Sequence, residues 1–400
     1  MKNIGEVKDC FGCGVCATVC AKDAIKIELN QDGFYTPALD TNKCVNCGLC
    51  ADACAFLHDD LAVQNTPKSS YGAWSNNPMV RRRCSSGGIG YELGKYLLSN
   101  GYKVCAVRYN APKQRAEHYI ASTESEFMPS IGSKYIQSYT ADGFKSINRK
   151  EKYLVTGTPC QMDSFRRYIR KFKIEDNFVL MDFFCHSVPS MLAWKKYLQI
   201  VEKQTGPVIY ASWRNKFTGW HDSWAMAMDG DVGSVSDCDK VDWHDSYNIY
   251  ISEKKHFYNS RLSKGDLFYK LFLGDYCCNP ACQKNCKYKY DKSSADIRIG
   301  DFWGATYAKD EDGVSSVIAF TDKGKEILEK LGCTFEKHPF EVVAEGQMKK
   351  NAGKHFMANI VSVWLKSSGT NQMVIKVVLI VDWMWRFPKR VVNKLKTLLK

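Results

Sequence analysis

Eight of the eighteen cysteines fall into one pattern used twice, Cys10-x2-Cys13-x2-Cys16-x3-Cys20 and Cys44-x2-Cys47-x2-Cys50-x3-Cys54. A segment with this pattern folds around metal as much as around apolar side chains. Three thiolates spaced by two residues wrap three irons of one cubane, and the fourth cysteine lies too far round to complete it, so it ligates the neighbouring cluster. The spacing predicts two [4Fe-4S] clusters, one on Cys10, Cys13, Cys16 and Cys54, the other on Cys44, Cys47, Cys50 and Cys20. Each half of the module is then tied to the other through metal, and loss of either cluster should unfold both. Tetrahedral zinc has no use for the third and fourth cysteine of each run. Disulfides accompany a secretory signal, and residues 1–14 contain no apolar h-region. The expected compartment is therefore reducing, the cytoplasm. Residues 24–29 alternate like a short strand, with Asp32-Gly33 as its hairpin turn.

A chain of 400 residues is too long for this module alone and predicts a larger domain with its own core. Asn65-Thr-Pro-Lys-Ser-Ser-Tyr-Gly72 reads as a linker. The division expected is an iron–sulfur module over 1–62, a linker over 63–80, a large domain over 81–345 and a basic tail over 346–400. Net charge is +13, unevenly placed: residues 1–60 carry five Lys against nine Asp and Glu, residues 371–400 seven Lys and Arg against one Asp. No compact basic run interleaves with aromatics in the middle of the chain, which argues against nucleic acid. Residues 373–385 are apolar but interrupted by Lys376 and Asp382, short of the ~20 residues a spanning helix needs. With the basic residues after them, they suit either an anionic membrane surface, contacted peripherally through 371–400, or a helix docked on protein.

In the large domain, Cys84-Ser85-Ser86-Gly87-Gly88 precedes Ile89, Leu93 and Leu97 at helical spacing. A Ser/Gly turn opening a helix either presents backbone N–H groups to a phosphate or simply caps the helix. Residues 153–157 read as a buried strand leading through Thr158-Pro159-Cys160 into a helix over about 161–169. Residues 178–184 likewise lead through Cys185-His186 into a helix over about 190–202. Consecutive strand–helix units imply parallel strands, with Cys160 and Cys185 at the carboxyl edge of the sheet, where α/β folds bind ligands. Cys277, Cys278, Cys282 and Cys286 follow. Two of these either complete a four-thiolate site with Cys160 and Cys185 or form a local zinc knuckle. The fold class expected is an α+β two-cluster module followed by a larger α/β domain.

The ordered motifs then become specific: the double cysteine run, Arg83-Cys-Ser-Ser-Gly-Gly88, Gly132-Ser-Lys-Tyr135, Gly157-Thr-Pro-Cys-Gln161, Cys185-His-Ser-Val-Pro-Ser190, Trp213-Arg-Asn-Lys-Phe-Thr-Gly-Trp220 and Asp296-Ile-Arg-Ile-Gly-Asp-Phe-Trp-Gly304. Together they resemble the coenzyme F-420 hydrogenase/dehydrogenase beta-subunit family, in particular its bacterial branch associated with polysaccharide biosynthesis. The resemblance spans roughly residues 1–305. It implies a flavoprotein oxidoreductase that binds FAD beside an iron–sulfur cluster and works with a protein electron donor or acceptor. It would place Ser86, Gly87, Gly88, Gly132, Ser133, Lys134, Tyr135 and Thr158 on the flavin, and a third [4Fe-4S] cluster on Cys160, Cys185, Cys286 and either Cys282 or Cys278. His186, beside Cys185, is the expected catalytic proton donor. Arg214 and Lys216 lie in a segment that either meets an anionic substrate or, the commoner case for such a pair, forms a solvated surface. Two other functions fit the same residues: an electron-transfer subunit feeding a separate enzyme, and a redox sensor or scaffold at a membrane surface.

Overall fold

The computed structural model describes residues 3–7, 10–231 and 256–398. The alternating residues after the first cysteine run form a hairpin, β1 (Ile25–Leu29) and β2 (Tyr35–Leu39), with Ile25 opposite Leu39. Gly33 turns it in the left-handed region at φ +78°, where a Cβ would stand 2.6 Å from Ser190 Oγ. The approach is this close because the turn caps another element. Ser190 donates its hydroxyl to the Asp32 carbonyl, and the Met191 N–H donates to Gly33 O, at the start of the helix Met191–Thr205.

Residues 63–80, read from composition as a linker, contain a strand of the large sheet instead. Ser69–Ser75 is β3, and Ser69, Ser70, Ala73 and Ser75 are buried in it. Their small size serves close packing, as at Gly72, whose Cα faces the Tyr307 ring. The helix Pro78–Arg83 follows directly, capped by Asn77.

The remaining strands are β4 (Tyr102–Asn110), β5 (Arg115–Ala121), β6 (Ser138–Tyr139), β7 (Lys152–Thr156), β8 (Phe178–Phe183), β9 (Val208–Ser212), β10 (Ala225–Gly230), β11 (His256–Arg261), β12 (Ile297–Asp301), β13 (Ser315–Ala319) and β14 (Cys333–Lys337). A nine-stranded mixed sheet runs in the order β14-β3-β13-β12-β8-β7-β4-β5-β6, and β9 to β11 form a separate antiparallel sheet. The run β4, β7, β8, β12 at its centre is parallel, as the strand–helix units predict. Leu154, Val155, Val179 and Leu180 are completely buried there. The crossover helix is longer than the periodicity suggests, Pro159–Lys171, because Pro159 suits a first helical position and Gln161 Oε1 accepts the Thr158 N–H at 2.8 Å. Cys160 therefore sits inside the first turn.

The two-cluster module shares one apolar core with the sheet. Val15, Ile27 and Tyr35 pack with Phe144, Phe165 and Tyr168. Fully burying each such side chain contributes about 1.5–3 kcal/mol, so the module is held by packing as well as by metal. The molecule thus combines an α+β two-cluster segment with a larger α/β domain. At the far end the helices Ala358–Lys366 and Met373–Leu398 pack on Leu271 and Tyr276. No helix among the described residues is long and apolar enough to cross a membrane.

Candidate redox site

Cys10, Cys13, Cys16 and Cys54 line one cavity together with Phe11 and Phe56. The Gly12 N–H donates to Cys10 Sγ at 3.4 Å. Burial, and then the charge of Cys54, pushes the Cys13 thiol up to about 12; burial, Cys13, Cys10 and Cys54 hold Cys16 well above the usual thiol range. Buried thiols that raise one another in this way ionise when cationic metal shares the cavity, and the donor set fits an iron–sulfur cube. The second run lies nearer solvent. Cys47 is exposed, Cys44 and Cys20 are partly buried and Cys50 is buried. Cys20 Sγ accepts the Ala24 N–H at 3.4 Å, and Cys50 is raised mainly by burial, with Cys47 adding to it.

A third group of thiols gathers where the parallel strands end. Burial comes first in raising Cys160, followed by Cys282, with Cys13 and Cys185 contributing. Cys185 is pushed up to about 12, again by burial first, with the charges of Cys282 and Cys286 adding. Cys282 in turn is raised by burial and by Cys286. Cys282 is thus within electrostatic reach of Cys160, Cys185 and Cys286. Cys278 Sγ faces Phe272 O at 3.7 Å and Asp275 Oδ1 at 3.6 Å, and burial, Cys277, Asp275 and Cys282 hold its thiol well above the usual range.

Cationic side chains gripping carbonyls hold these loops. Lys289 Nζ donates to the Cys185 and His186 carbonyls, each at 2.6 Å. Lys287 Nζ donates to Ala55, Phe56 and His58, joining the segment after Cys54 to the loop that carries Cys286. Arg298, wholly buried, makes a bidentate pair with Asp182 at 2.7 and 2.8 Å and donates to the carbonyls of Tyr288, Tyr290 and Lys292. The first and third thiol groups meet on one helix. Ser164, one turn after Cys160, accepts from Cys13 Sγ at 3.2 Å and from the Ala55 N–H at 2.9 Å.

The residues expected around a flavin divide. Gly88 takes a left-handed φ of +88° before the helix Ile89–Ser99, whose N-terminus has no side-chain cap. Gly87 is explained by packing, since a Cβ would meet Ala73 O at 2.2 Å. Ser86 donates its hydroxyl to Val314 O at 2.7 Å. The Ser133 N–H donates to Ser85 Oγ at 3.0 Å, so the Gly132–Tyr135 loop joins the Ser/Gly turn. Lys134 turns into its own loop and donates to the carbonyls of Pro129, Ser130, Ile131 and Gly132; burial pushes it down to about 7. Thr158 lies apart from this group, its hydroxyl 3.2 Å from Cys160 Sγ. His186 Nε2 and Asp275 Oδ1 are 2.8 Å apart, and the His186 ring stands edge-on to Phe272 at 5.3 Å. Tyr135 contacts the same Phe272 at 6.0 Å.

Arg214 and Lys216 are buried, against the expectation of a solvated pair. Arg214 forms a bidentate pair with Asp301 at 2.8 and 3.1 Å and donates to the Tyr135 hydroxyl at 3.1 Å. Lys216 donates to the Arg81 and Ser86 carbonyls at 2.8 and 2.7 Å, and burial pushes it down to about 7. Arg83 Nε, next to the turn, is buried without a hydrogen-bond partner.

Residues 70–142 match the model of the coenzyme F420 hydrogenase/dehydrogenase beta subunit N-terminus, and residues 150–337 that of its C-terminus. The chain belongs to this beta-subunit family. In front of the family region, residues 9–56 match a 4Fe-4S dicluster domain. This member of the family is accordingly an iron–sulfur protein of electron transfer, with the oxidoreductase character of its family. Among solved structures, a chain of the F420-reducing [NiFe] hydrogenase complex from Methanosarcina barkeri, studied by xenon derivatization, aligns at TM-score 0.43 and 17% identity. The alignment covers 78% of this chain and 92% of that one. No curated protein matches. Sequence reasoning about this beta-subunit relative missed Asp275, Asp301, Asp182 and the lysine clamps. Each is an ordinary charged residue in sequence, and only the signs of Asp182 and Arg298, both inside buried strands, hint at a pair.

Proposed function

We propose that the chain is an iron–sulfur flavoprotein oxidoreductase. The solvent-near Cys44, Cys47, Cys50 and Cys20 would hold one cluster, Cys10, Cys13, Cys16 and Cys54 a second, and Cys160, Cys185, Cys282 and Cys286 a third, which together would supply one-electron transfer between a partner and the flavin site. The observation that carries this reading is the position of the third thiol group between two neighbours. Its helix touches Cys13 through Ser164, and its Cys185-His186 segment shares Phe272 with the Gly132–Tyr135 loop.

The residues around the Ser/Gly turn suit the pyrophosphate of FAD. An uncapped N-terminus and the unpartnered Arg83 Nε leave N–H donors for an anion's oxygens, and Lys216 ties the turn in place by donating to the Arg81 and Ser86 carbonyls. Bound FAD would supply the exchange between one-electron and two-electron chemistry. In this reading Ser86, Gly88, Gly132, Ser133 and Tyr135 border the cofactor, Lys134 rigidifies their loop from within, and Thr158 serves Cys160. His186, oriented by Asp275, holds the proton for the substrate. Burial opposes ionisation of Asp275, but the hydrogen bond and charge of His186 keep its carboxyl below the usual range, as an orienting partner requires. A protein partner delivers or removes the electrons.

Anaerobic purification with assay of iron, acid-labile sulfide and flavin tests the proposal. About twelve irons and one FAD per chain are expected for three cubes. About eight irons without flavin would leave a two-cluster protein with no flavin chemistry and overturn it.

A further inference from the structure

The C-terminal helix Met373–Leu398 is apolar on two sides. One side is accounted for: Ile375 and Val378 are buried against the core that includes Leu271 and Tyr276. The opposite side exposes Val374, Val377, Ile380, Val381 and Trp385, the last at 67%. These recur at helical spacing, and a helix whose outward stripe is also apolar has a second surface to meet. The preceding helix, Ala358–Lys366, adds to the same face. Phe356 is 60% exposed with its ring 5.7 Å from Trp385, and Ile360 and Val363 follow at intervals of four and three. Two antiparallel helices therefore present one continuous apolar face.

Charge identifies its occupant. Residues 346–400 contain eleven Lys and Arg and a single acidic residue, Asp382. That carboxylate is turned inward, 2.9 Å from His355 Nε2 and 2.7 Å from Arg386 Nε, with 13% of its side chain exposed. Among the described residues of 346–400, the outward face thus carries no anion. Five further basic residues, Lys389, Arg390, Lys394, Lys396 and Lys400, follow Trp385 and Arg386; Lys400 lies outside the described residues, and the helix runs through the other four. An apolar stripe bearing Trp, flanked by Lys and Arg, without the length to span, has the chemistry of a helix that lies in the plane of a lipid headgroup layer. A second copy of this chain would bring the same basic excess against itself.

We propose that the Phe356–Val363 stripe and the outward side of Met373–Leu398 dock the protein on anionic phospholipid, in plane and without insertion across the bilayer. Docking is independent of the redox reading, because none of these residues touches the thiol groups or the Ser/Gly turn. The test is co-sedimentation of the whole protein, purified without oxygen, with vesicles of phosphatidylcholine alone and with about a third phosphatidylglycerol. The expected result is about tenfold more binding to the anionic vesicles, weakened by salt and accompanied by a blue shift of tryptophan emission. The double variant Val377→Glu/Trp385→Glu should lose that binding about tenfold while keeping wild-type iron content and solution turnover. No binding to either vesicle, or equal binding to both, overturns the proposal. So does a concentration-dependent dimer, seen by sedimentation, that the double variant dissociates, because the face would then belong to a second copy.

Discussion

The first and third thiol groups have similar surroundings and opposite origins. Cys10, Cys13 and Cys16 come from seven consecutive residues, and only Cys54 arrives from a distance. Cys160, Cys185, Cys282 and Cys286 come from the first turn of one helix, the segment after a strand, and the short helix Pro280–Asn285 with the residue that ends it, spread over more than a hundred residues. Yet burial is the first cause that raises Cys13 and Cys16 in one and Cys160, Cys185 and Cys282 in the other, and the charge of Cys13 adds to the rise at Cys160. The comparison shows that buried thiols can be gathered by short spacing or by a sheet edge. In the second case the loops that carry them are held by other residues, here Lys287, Lys289 and Arg298.

Removing one thiol of the third group separates it most sharply from the first. Cys160→Ser should abolish electron delivery beyond the two-cluster module and lower iron by about four per chain, with the module's low-temperature spin signal retained. Loss of all iron would mean that the two groups do not assemble independently. The next largest effect is expected at a support of the third group. Arg298→Ala leaves Asp182 buried and unpaired and should cost about 3–5 kcal/mol in anaerobic denaturant unfolding, whereas a change below about 1 kcal/mol would show that water enters the site.

The first group has its own sensitive contact. Gly14 has φ +75°, and a Cβ there would stand 2.0 Å from Thr140 Oγ1. Gly14→Ala should lower stability by about 1–3 kcal/mol without removing a ligand. Thr140→Ala in the same chain should recover part of this, and failure to recover would assign the strain to the backbone alone.

The smallest effect concerns the ground both groups share. His118 is buried beside Phe144, and desolvation pushes its imidazole down to about 4, against the backbone carbonyl of Thr156. A folded-state pKa below the unfolded one makes the unfolded chain bind more protons. Stability is therefore full above about pH 6.5 and falls as the pH drops from there toward 4, by about 2 kcal/mol between pH 7 and pH 5. In His118→Gln this part of the slope should vanish, and an unchanged slope would assign the acid sensitivity to other groups.

Several features were legible in residues alone because they depend on local spacing. The two cysteine runs, the β1–β2 hairpin with Gly33 and the helix opened by Gly88 need only a few neighbours to specify them. The parallel pairing of β7 with β8 followed from consecutive apolar strand–helix units. The strand Ser69–Ser75 was illegible, because small polar residues look alike in a loop and in a tightly packed strand. Arg214 and Lys216 misled for a related reason: a charged side chain reads as surface until its partners, Asp301 or a ring of carbonyls, are found in other parts of the chain.

The sequence by itself determined that this protein holds iron–sulfur clusters, because thiolate spacing of two and three residues is a geometric constraint that survives without any tertiary context. Only the tertiary structure decided that Cys282 comes within electrostatic reach of Cys160, Cys185 and Cys286, that Cys278 Sγ faces Asp275, and that Ser164 stands against Cys13. It also decided that the last helix keeps an apolar face outward. Those outcomes depend on which surfaces are already covered when the chain comes together, and contact between residues a hundred positions apart leaves no period in the sequence to read.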